Sequence, residues 1–264
     1  MSIYTPKELP VIAEKTGIDK ANYSWKKTLT LGMLAGAYIA MGATLAVFVG
    51  YGFPGISEQN PVFPKLLSGL MFPVGLMLVI IAGAELFTGN NAMLIPGFMN
   101  GKIKWHTVLK NWALVFGSNF IGTIFFAYLL VHITGILSHA PWQESIIHTA
   151  VLKTTQPWHV IFVKGIGANW LVCLAVWLGL TAHTTTGKIA GIWWPVMAFV
   201  VLGYEHSIAN MFYVPMGIFE GAPVTWSAFF FNNLIPSALG NIVGGAVFVG
   251  GMYWYTYIKL EKKD

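Results

Sequence analysis

The sequence contains no arginine, a single cysteine and few charged residues of either sign. All 15 basic residues are lysines. Arginine, whose side chain reads base edges and binds phosphate through two hydrogen bonds, is absent, so nucleic acid is not a predicted partner. Cys173 has no second cysteine with which to form an internal disulfide. Charged residues make up 9% of the chain and hydrophobic residues 56%, which is too little charge to cover a water-facing surface. The composition therefore predicts a polytopic membrane protein.

Long charge-free stretches recur along the chain and predict six membrane spans in an all-α fold. The spans lie within residues 28–57, 66–84, 111–143, 165–187, 189–219 and 221–258. Each stretch supplies the roughly 20 residues that cross a bilayer, although Glu205 and His206 interrupt the fifth. We predict a single transmembrane domain over residues 1–264. It comprises a cytoplasmic N-terminal helix in 1–27, the six helices in 28–258 and a cytoplasmic tail in 259–264.

The lysines are divided unequally between the two sides of this predicted bundle. Only Lys65 and Lys153 lie opposite the termini, and Lys164 lies at the edge of a span. Since lysine accumulates in cytoplasmic loops, we predict a multi-pass protein of the cell membrane with both termini in the cytoplasm. Residues 5–20 are predicted to form a short helix that is capped near Thr5 and lies on the cytoplasmic surface.

Two segments interrupt the predicted spans in the same way. Residues 83–90 read GAELFTGN and residues 203–210 read GYEHSIAN, so glycine, glutamate and asparagine recur at equal spacing. The two segments are 120 residues apart, and Asn119 recurs 122 residues later as Asn241. Three spans per half is an odd number, which makes the two halves inverted in the membrane. We therefore predict two inverted three-helix repeats in which helices 2 and 5 are broken.

The interruptions carry the ionisable groups of the predicted spans. Glu85 and Glu205, with Asn90 and Asn210, are predicted to support the broken helices. The carboxylates would accept hydrogen bonds from exposed backbone amides, and proton carriage is the alternative role. His206 has no histidine counterpart in the first half. It is the one group there that exchanges a proton near neutral pH, so we favour a functional role over that of a hydrogen-bonded core histidine.

Other polar residues of the spans have two possible roles each. Thr88 offers a hydroxyl that bonds a histidine or a small anion, or that caps the break locally. Lys164 either attracts anions in a vestibule or extends to the membrane interface. Asn169 and Asn241 either line a pore or bond neighbouring helices. The histidines lack metal-site spacing and no catalytic motif occurs, so we predict no metal, no cofactor and no enzyme.

Four motifs carry a resemblance to a known family. They are GAELFTGN at 83–90, ANWLVCLAVW at 168–177, GYEHSIANMF at 203–212, and NLIP at 233–236 with GNI at 240–242. Together they resemble the formate/nitrite transporter family, and the resemblance runs from about residue 5 to residue 258. It implies an aquaporin-like protomer of six helices, assembled as a homopentamer in which each protomer has its own pore.

The resemblance also implies substrates and site residues. The substrates are small monovalent anions of weak acids, such as formate, nitrite or hydrosulfide. The central pore histidine and its partner would be His206 and Thr88, the apolar constrictions Phe72, Leu76 and Phe199, and the polar pathway positions Lys164, Asn169 and Asn241. An anion that gains a proton at or near His206 would cross the apolar constrictions as a neutral acid, which loses far less hydration energy.

Two pairs of segments bear on the choice of substrate. Residues 212–218 and 233–236 look more like the formate branch of the family, whereas 152–155 and 203–206 are similar to the nitrite branch. We favour formate, with nitrite as the alternative. An aquaporin-like channel for neutral solutes is an alternative of another class, although the chain lacks the Asn-Pro-Ala of aquaporins. The sequence leaves open channel or proton symport, direction, gating by the N-terminal helix, and soluble partners.

Overall fold

The computed structural model describes residues 3–261, and within them the chain is helical, with no β-strand. These residues form α1 Leu9–Ala21, α2 Trp25–Gly50, α3 Pro54–Ser57, α4 Phe63–Ile81, α5 Phe87–Met93, α6 Ile95–Met99, α7 Trp105–His132, α8 Trp142–Thr155, α9 Trp158–Thr181, α10 Thr185–Val201, α11 Ser207–Phe219 and α12 Trp226–Lys259. Helices α2, α4, α7, α9 and α12 are long and apolar enough to cross a membrane. The prediction of an all-α protein with membrane-spanning character is confirmed.

The third and fifth predicted spans contain more than one helix each. The third was predicted to lie within residues 111–143, where α7 ends at His132 and a separate helix, α8, begins at Trp142, which the charge pattern did not reveal. The fifth, 189–219, was predicted to be interrupted, and the structure has two shorter apolar helices there, α10 and α11. Gly203 in the gap has φ of +68°, and Gly83, between α4 and α5, has φ of +82°. Both values lie in the left-handed region, which ends a helix and favours glycine.

Close helix crossings occupy equivalent places in the two halves. Helix α2 packs against α7, where a Cβ on Gly122 would lie 1.9 Å from the Met33 carbonyl oxygen. Helix α9 packs against α12, where a Cβ on Gly244 would lie 2.3 Å from the Ile166 carbonyl oxygen. Only glycine allows these backbones to approach so closely, which is how small residues stabilise helix pairs in membranes.

The N-terminal helix differs from its prediction in its start and in its surroundings. It begins at Leu9 rather than near Thr5, because residues 6–8 form a turn. Thr5 donates its backbone amide (2.7 Å) and its hydroxyl (2.9 Å) to Glu8 Oε2. These bonds, the amide's first, hold the pKa of the Glu8 carboxyl below its ordinary value. Leu9 and Ala13 are buried, so α1 packs into the bundle as well as covering it.

Candidate functional site

The break between α4 and α5 is held by one asparagine of α7. Asn119 Oδ1 accepts the backbone amide of Phe87 at 3.0 Å, at the start of α5. Its Nδ2 donates to the carbonyl oxygens of Gly32 and Glu85, both at 2.8 Å. The side chain is fully buried, so one amide replaces the water that these backbone groups would otherwise need.

The break between α10 and α11 is held in the same way by Asn241 of α12. Its Oδ1 accepts the backbone amide of Ser207 at 2.8 Å. Its Nδ2 donates to the carbonyl oxygens of Gly165 (2.8 Å) and Glu205 (2.9 Å). Asn241 was predicted either to line the substrate pathway or to bond neighbouring helices, and its full burial and these contacts match the second role. The 122-residue offset identified both asparagines, whereas their shared contacts were visible only in the structure.

The two buried carboxylates have side-chain partners, and not the backbone amides that we predicted. Each accepts hydrogen bonds from a lysine and from the asparagine five residues after it in the chain. The pairs are Lys20 with Glu85, Asn90 with Glu85 (2.8 Å), Lys153 with Glu205 (3.0 Å) and Asn210 with Glu205 (2.7 Å). Asn111 adds a bond to Asn90 and Asn233 a bond to Glu205, at 3.0 and 3.2 Å. The amides of Phe87 and Ser207 are already bonded to the buried asparagines described above, and the carboxylates pair with lysine instead.

The lysine partners reveal a further part of the internal repeat. Lys20 lies on α1 and Lys153 on α8, the helices that precede α2 and α9. The two lysines are 133 residues apart in the sequence. Gly32 and Gly165 are also 133 residues apart, and their carbonyl oxygens accept the equivalent bonds from Asn119 and Asn241. Helices α1 and α2 therefore correspond to α8 and α9. This correspondence was not apparent from the sequence, because its offset of 133 residues differs from the 120 residues that separate the breaks.

His206 lies at the start of α11 and bonds through both ring nitrogens. Its Nδ1 accepts the backbone amide of Ala209 at 3.1 Å, which makes His206 the N-cap of the helix. Because Nδ1 is an acceptor, the proton of the neutral ring is on Nε2, which lies 2.9 Å from Thr88 Oγ1. Both side chains are buried. The structure thus brings together two residues that are 118 positions apart in the chain.

Two phenylalanines pack beside this pair. The rings of Phe72 and Phe199 meet edge to face, with centroids 5.5 Å apart. Phe199 also stacks on His206, at 5.7 Å. The exposed fractions of Phe72 and Phe199 are 2% and 3%, so the contact between them is closed. Leu76, the third residue predicted at a constriction, lines a different cavity.

Two cavities approach the His206–Thr88 pair. The first, which we call the histidine cavity, has a volume of about 180 Å³ and contains His206, Phe72 and Phe199 in its lining, together with Lys65 and Lys153. Lys164, which was predicted on the pathway, lines neither cavity; its Nζ donates to Gln156 Oε1 at 2.5 Å. The lysines that line the histidine cavity are therefore the two that the sequence placed opposite the termini.

The second cavity, which we call the α1 cavity, has a volume of about 260 Å³. Its lining includes Leu76, Glu85 and Lys188, and α1 contributes Thr16 and Lys20. The corresponding residues of α8, Thr149 and Lys153, line the histidine cavity. The two cavities are thus built from equivalent elements of the two halves, and α1 is part of one wall.

Asn169 is the remaining predicted site residue. Its Nδ2 lies within bonding distance of the Thr88 carbonyl oxygen (3.1 Å), Asn91 Oδ1 (3.2 Å) and the Asn241 carbonyl oxygen (2.6 Å). It is fully buried and lines neither cavity, so of its two predicted roles the contacts match interhelical bonding. No cluster of three or more His, Cys, Asp or Glu residues that could hold a metal occurs within residues 3–261.

Comparison with known proteins agrees with this architecture. A family model described as formate/nitrite transporter matches residues 7–255. The chain belongs to the formate/nitrite transporter family. A probable formate transporter of Methanothermobacter thermautotrophicus is 46% identical over 247 residues, covering 88% of this chain and 89% of that protein.

Solved structures of family members have the same fold. A formate/nitrite transporter family ion channel superposes with a TM-score of 0.85 at 33% identity, covering 94% of this chain and 98% of that one. A pentameric formate channel with formate bound superposes with a TM-score of 0.77 at 32% identity, covering 89% and 98%. Membership in this family makes the chain a membrane transport protein and not an enzyme, as the sequence predicted.

Proposed function

We propose that this formate/nitrite transporter conducts small monovalent anions of weak acids in a pH-dependent manner, with formate as the main substrate. The observation that carries the proposal is the buried His206–Thr88 pair: His206 lines the histidine cavity, and Leu86 and Gly89, on either side of Thr88 in sequence, line the α1 cavity. Nitrite or hydrosulfide is the alternative substrate. The formate-bound channel and the probable formate transporter among its relatives support formate.

We further propose the membrane architecture behind this function. Residues 1–264 would form one transport domain of six transmembrane helices in two inverted repeats, with α4–α5 and α10–α11 as the broken second and fifth helices. Residues 1–2 and 262–264 lie outside the described residues. The equivalent asparagine and lysine contacts of the two halves support the repeat. By analogy with the pentameric relative we expect a homopentamer in the cell membrane, with both termini cytoplasmic.

The free-energy cost of dehydrating an anion at the apolar Phe72–Phe199 contact determines the mechanism. An anion entering the closed Phe72–Phe199 contact would lose its hydration without an opposite charge in contact, whereas a neutral acid would lose much less. Lys65 has no ion-pair partner among the described residues and lies in the wall of the histidine cavity. Its charge concentrates anions there, and protonation then lets them pass the rings.

The hydrogen bonds of His206 determine how it would exchange protons. A second ring proton must go to Nδ1, where it breaks the bond from Ala209 and adds positive charge at a helix N-terminus. The resting ring is therefore neutral, with Nε2 donating to Thr88. Exchange would add a proton from water at Nδ1 and pass the Nε2 proton to the Thr88 hydroxyl, whose own proton goes to the anion. The ring is then neutral but protonated on Nδ1, and it regains the resting tautomer when the Nδ1 proton returns to water and Nε2 takes up another.

Uptake into liposomes across a pH series tests the proposal. Wild-type protein should take up labelled formate faster at acidic than at alkaline pH, and faster than nitrite or water. His206→Phe removes both the N-cap and the exchangeable proton, and should abolish pH-dependent uptake. His206→Asn is the matched control for folding, because asparagine is a strong N-cap that cannot exchange protons.

Two results would contradict the proposal. Full pH-dependent uptake by His206→Asn would exclude proton exchange at this ring. Water permeation that exceeds the uptake of either anion would instead favour a channel for neutral solutes. Faster nitrite than formate uptake would keep the transport class and replace the substrate.

A further inference from the structure

The first turn of α5 has polar neighbours on its side as well as at its end. The Thr88 carbonyl oxygen accepts a bond from Asn169 Nδ2 at 3.1 Å and one from the Cys173 thiol at 3.2 Å. Cys173 Sγ also lies 3.5 Å from Asn169 Oδ1, and Asn91 Oδ1 lies 3.2 Å from Asn169 Nδ2. The three side chains are fully buried and lie on α5 and α9. We call Asn91, Asn169 and Cys173 the Thr88 clamp.

The internal repeat shows that the polar side chains of the clamp on α9 have no polar counterparts on α2. By the 133-residue correspondence between α2 and α9, Gly36 and Ala40 stand where Asn169 and Cys173 stand. Neither has a side-chain donor, so the carbonyl of Ile208, the counterpart of Thr88, has no such partners from α2. Polar groups were thus added only beside the threonine that meets His206.

The clamp leaves its members little freedom to move. A Cβ on Gly245 of α12 would lie 2.7 Å from Asn169 Nδ2, 2.9 Å from Cys173 Sγ and 2.9 Å from Asn91 Cβ. The backbone of α12 therefore presses directly on all three side chains. Because the three side chains are fully buried, each lost bond leaves a polar group unpaired rather than hydrated.

We propose that Asn91, Asn169 and Cys173 are positioning residues that fix the Thr88 turn, so that its hydroxyl meets His206 Nε2. The clamp acts on the Thr88 carbonyl, and the hydroxyl of the same residue lies 2.9 Å from the ring. The inference rests on the proposed function of the His206–Thr88 pair. The inference gives Cys173, the only cysteine of the chain, a part in proton exchange, although this side chain lines neither cavity.

Substitution of the thiol tests this inference in liposomes. Cys173→Ala removes the donor and should reduce formate uptake at acidic pH by about three- to tenfold, with a flatter pH profile. Cys173→Ser restores a donor and should return the rate to within about twofold of wild type. Ser118→Ala, which removes another buried donor far from Thr88 in sequence, should leave the pH profile unchanged. Thermal midpoints and oligomer size establish that all variants are folded.

The S–H stretching band gives a second measurement, because a single cysteine produces a single band. A hydrogen-bonded thiol absorbs at a lower frequency than a free one, and we expect the lower frequency in the wild type. A band at the free-thiol position, or a wild-type pH profile in folded Cys173→Ala, would overturn the clamp alone. If wild-type liposomes took up neither formate nor nitrite, the proposed function would fail and the clamp with it.

Discussion

At the scale of single residues, the hydrogen bonds of His206 decide which atoms can do chemistry. The amide of Ala209 occupies Nδ1, so Nε2 must donate to Thr88, and the Thr88 hydroxyl proton remains available for an incoming anion. The resemblance suggested that His206 and Thr88 are partners. The tautomer could not be predicted from sequence, because it depends on an N-cap formed only when the chain breaks before Ser207.

The Thr88 hydroxyl provides the residue-scale prediction. Thr88→Val keeps the shape of the side chain but leaves Nε2–H buried without an acceptor, which costs about 1–3 kcal/mol. We expect formate uptake at acidic pH to fall roughly tenfold or more, and Thr88→Ser to retain most of it. Thr123→Val is the control, since Thr123 is a buried threonine that bonds Gly36 and Asn119 rather than His206. Equal losses in Thr88→Val and Thr123→Val would count against a special role for the pair.

At the scale of helices, the sequence predicted where the chain breaks but not what holds the breaks. The recurring Gly83 and Gly203 both have positive φ, and the helices end beside them. The contacts that satisfy the breaks come from Asn119 and Asn241, whose amides reach carbonyls far away in the chain. Spacing along a sequence cannot show which distant carbonyl a side chain approaches, so support was assigned to the carboxylates instead.

The lysine–glutamate pairs give the prediction at this scale. Lys153→Met leaves the Glu205 carboxylate buried without its cation, and removing one partner of a buried pair costs about 3–5 kcal/mol. We expect the thermal midpoint in detergent to fall by roughly 6–20 °C. Adding Glu205→Gln removes the unpaired charge and should recover much of the loss. Lys104→Met, at an exposed lysine, should change the midpoint little. An unchanged midpoint in Lys153→Met would show that the pair adds nothing to stability.

At the scale of the whole molecule, equivalent elements build a cavity on each side of an unsymmetrical centre. Thr16 and Lys20 of α1 correspond to Thr149 and Lys153 of α8, and each pair lines one cavity. A further lysine lines each cavity, Lys65 the histidine cavity and Lys188 the α1 cavity. Neither lysine has an ion-pair partner in the part of the chain that the structure describes. The centre differs between the halves, because Leu86 stands in the repeat where His206 stands, and Ile208 where Thr88 stands.

This arrangement predicts that Lys65 and Lys188 each affect the uptake of anions that enter through the cavity they line. Lys65→Gln should lower the initial rate when formate is added on the side of the histidine cavity, and Lys188→Gln when it is added on the side of the α1 cavity. Each loss should be about two- to tenfold at low ionic strength and shrink near 0.5 M salt, where charges are screened within about 5 Å. Liposomes with oriented protein, loaded from either side, separate the two directions. Losses that are equal in both directions, or that persist unchanged in high salt, would mean that the lysines act on the centre or the fold and not on anion capture.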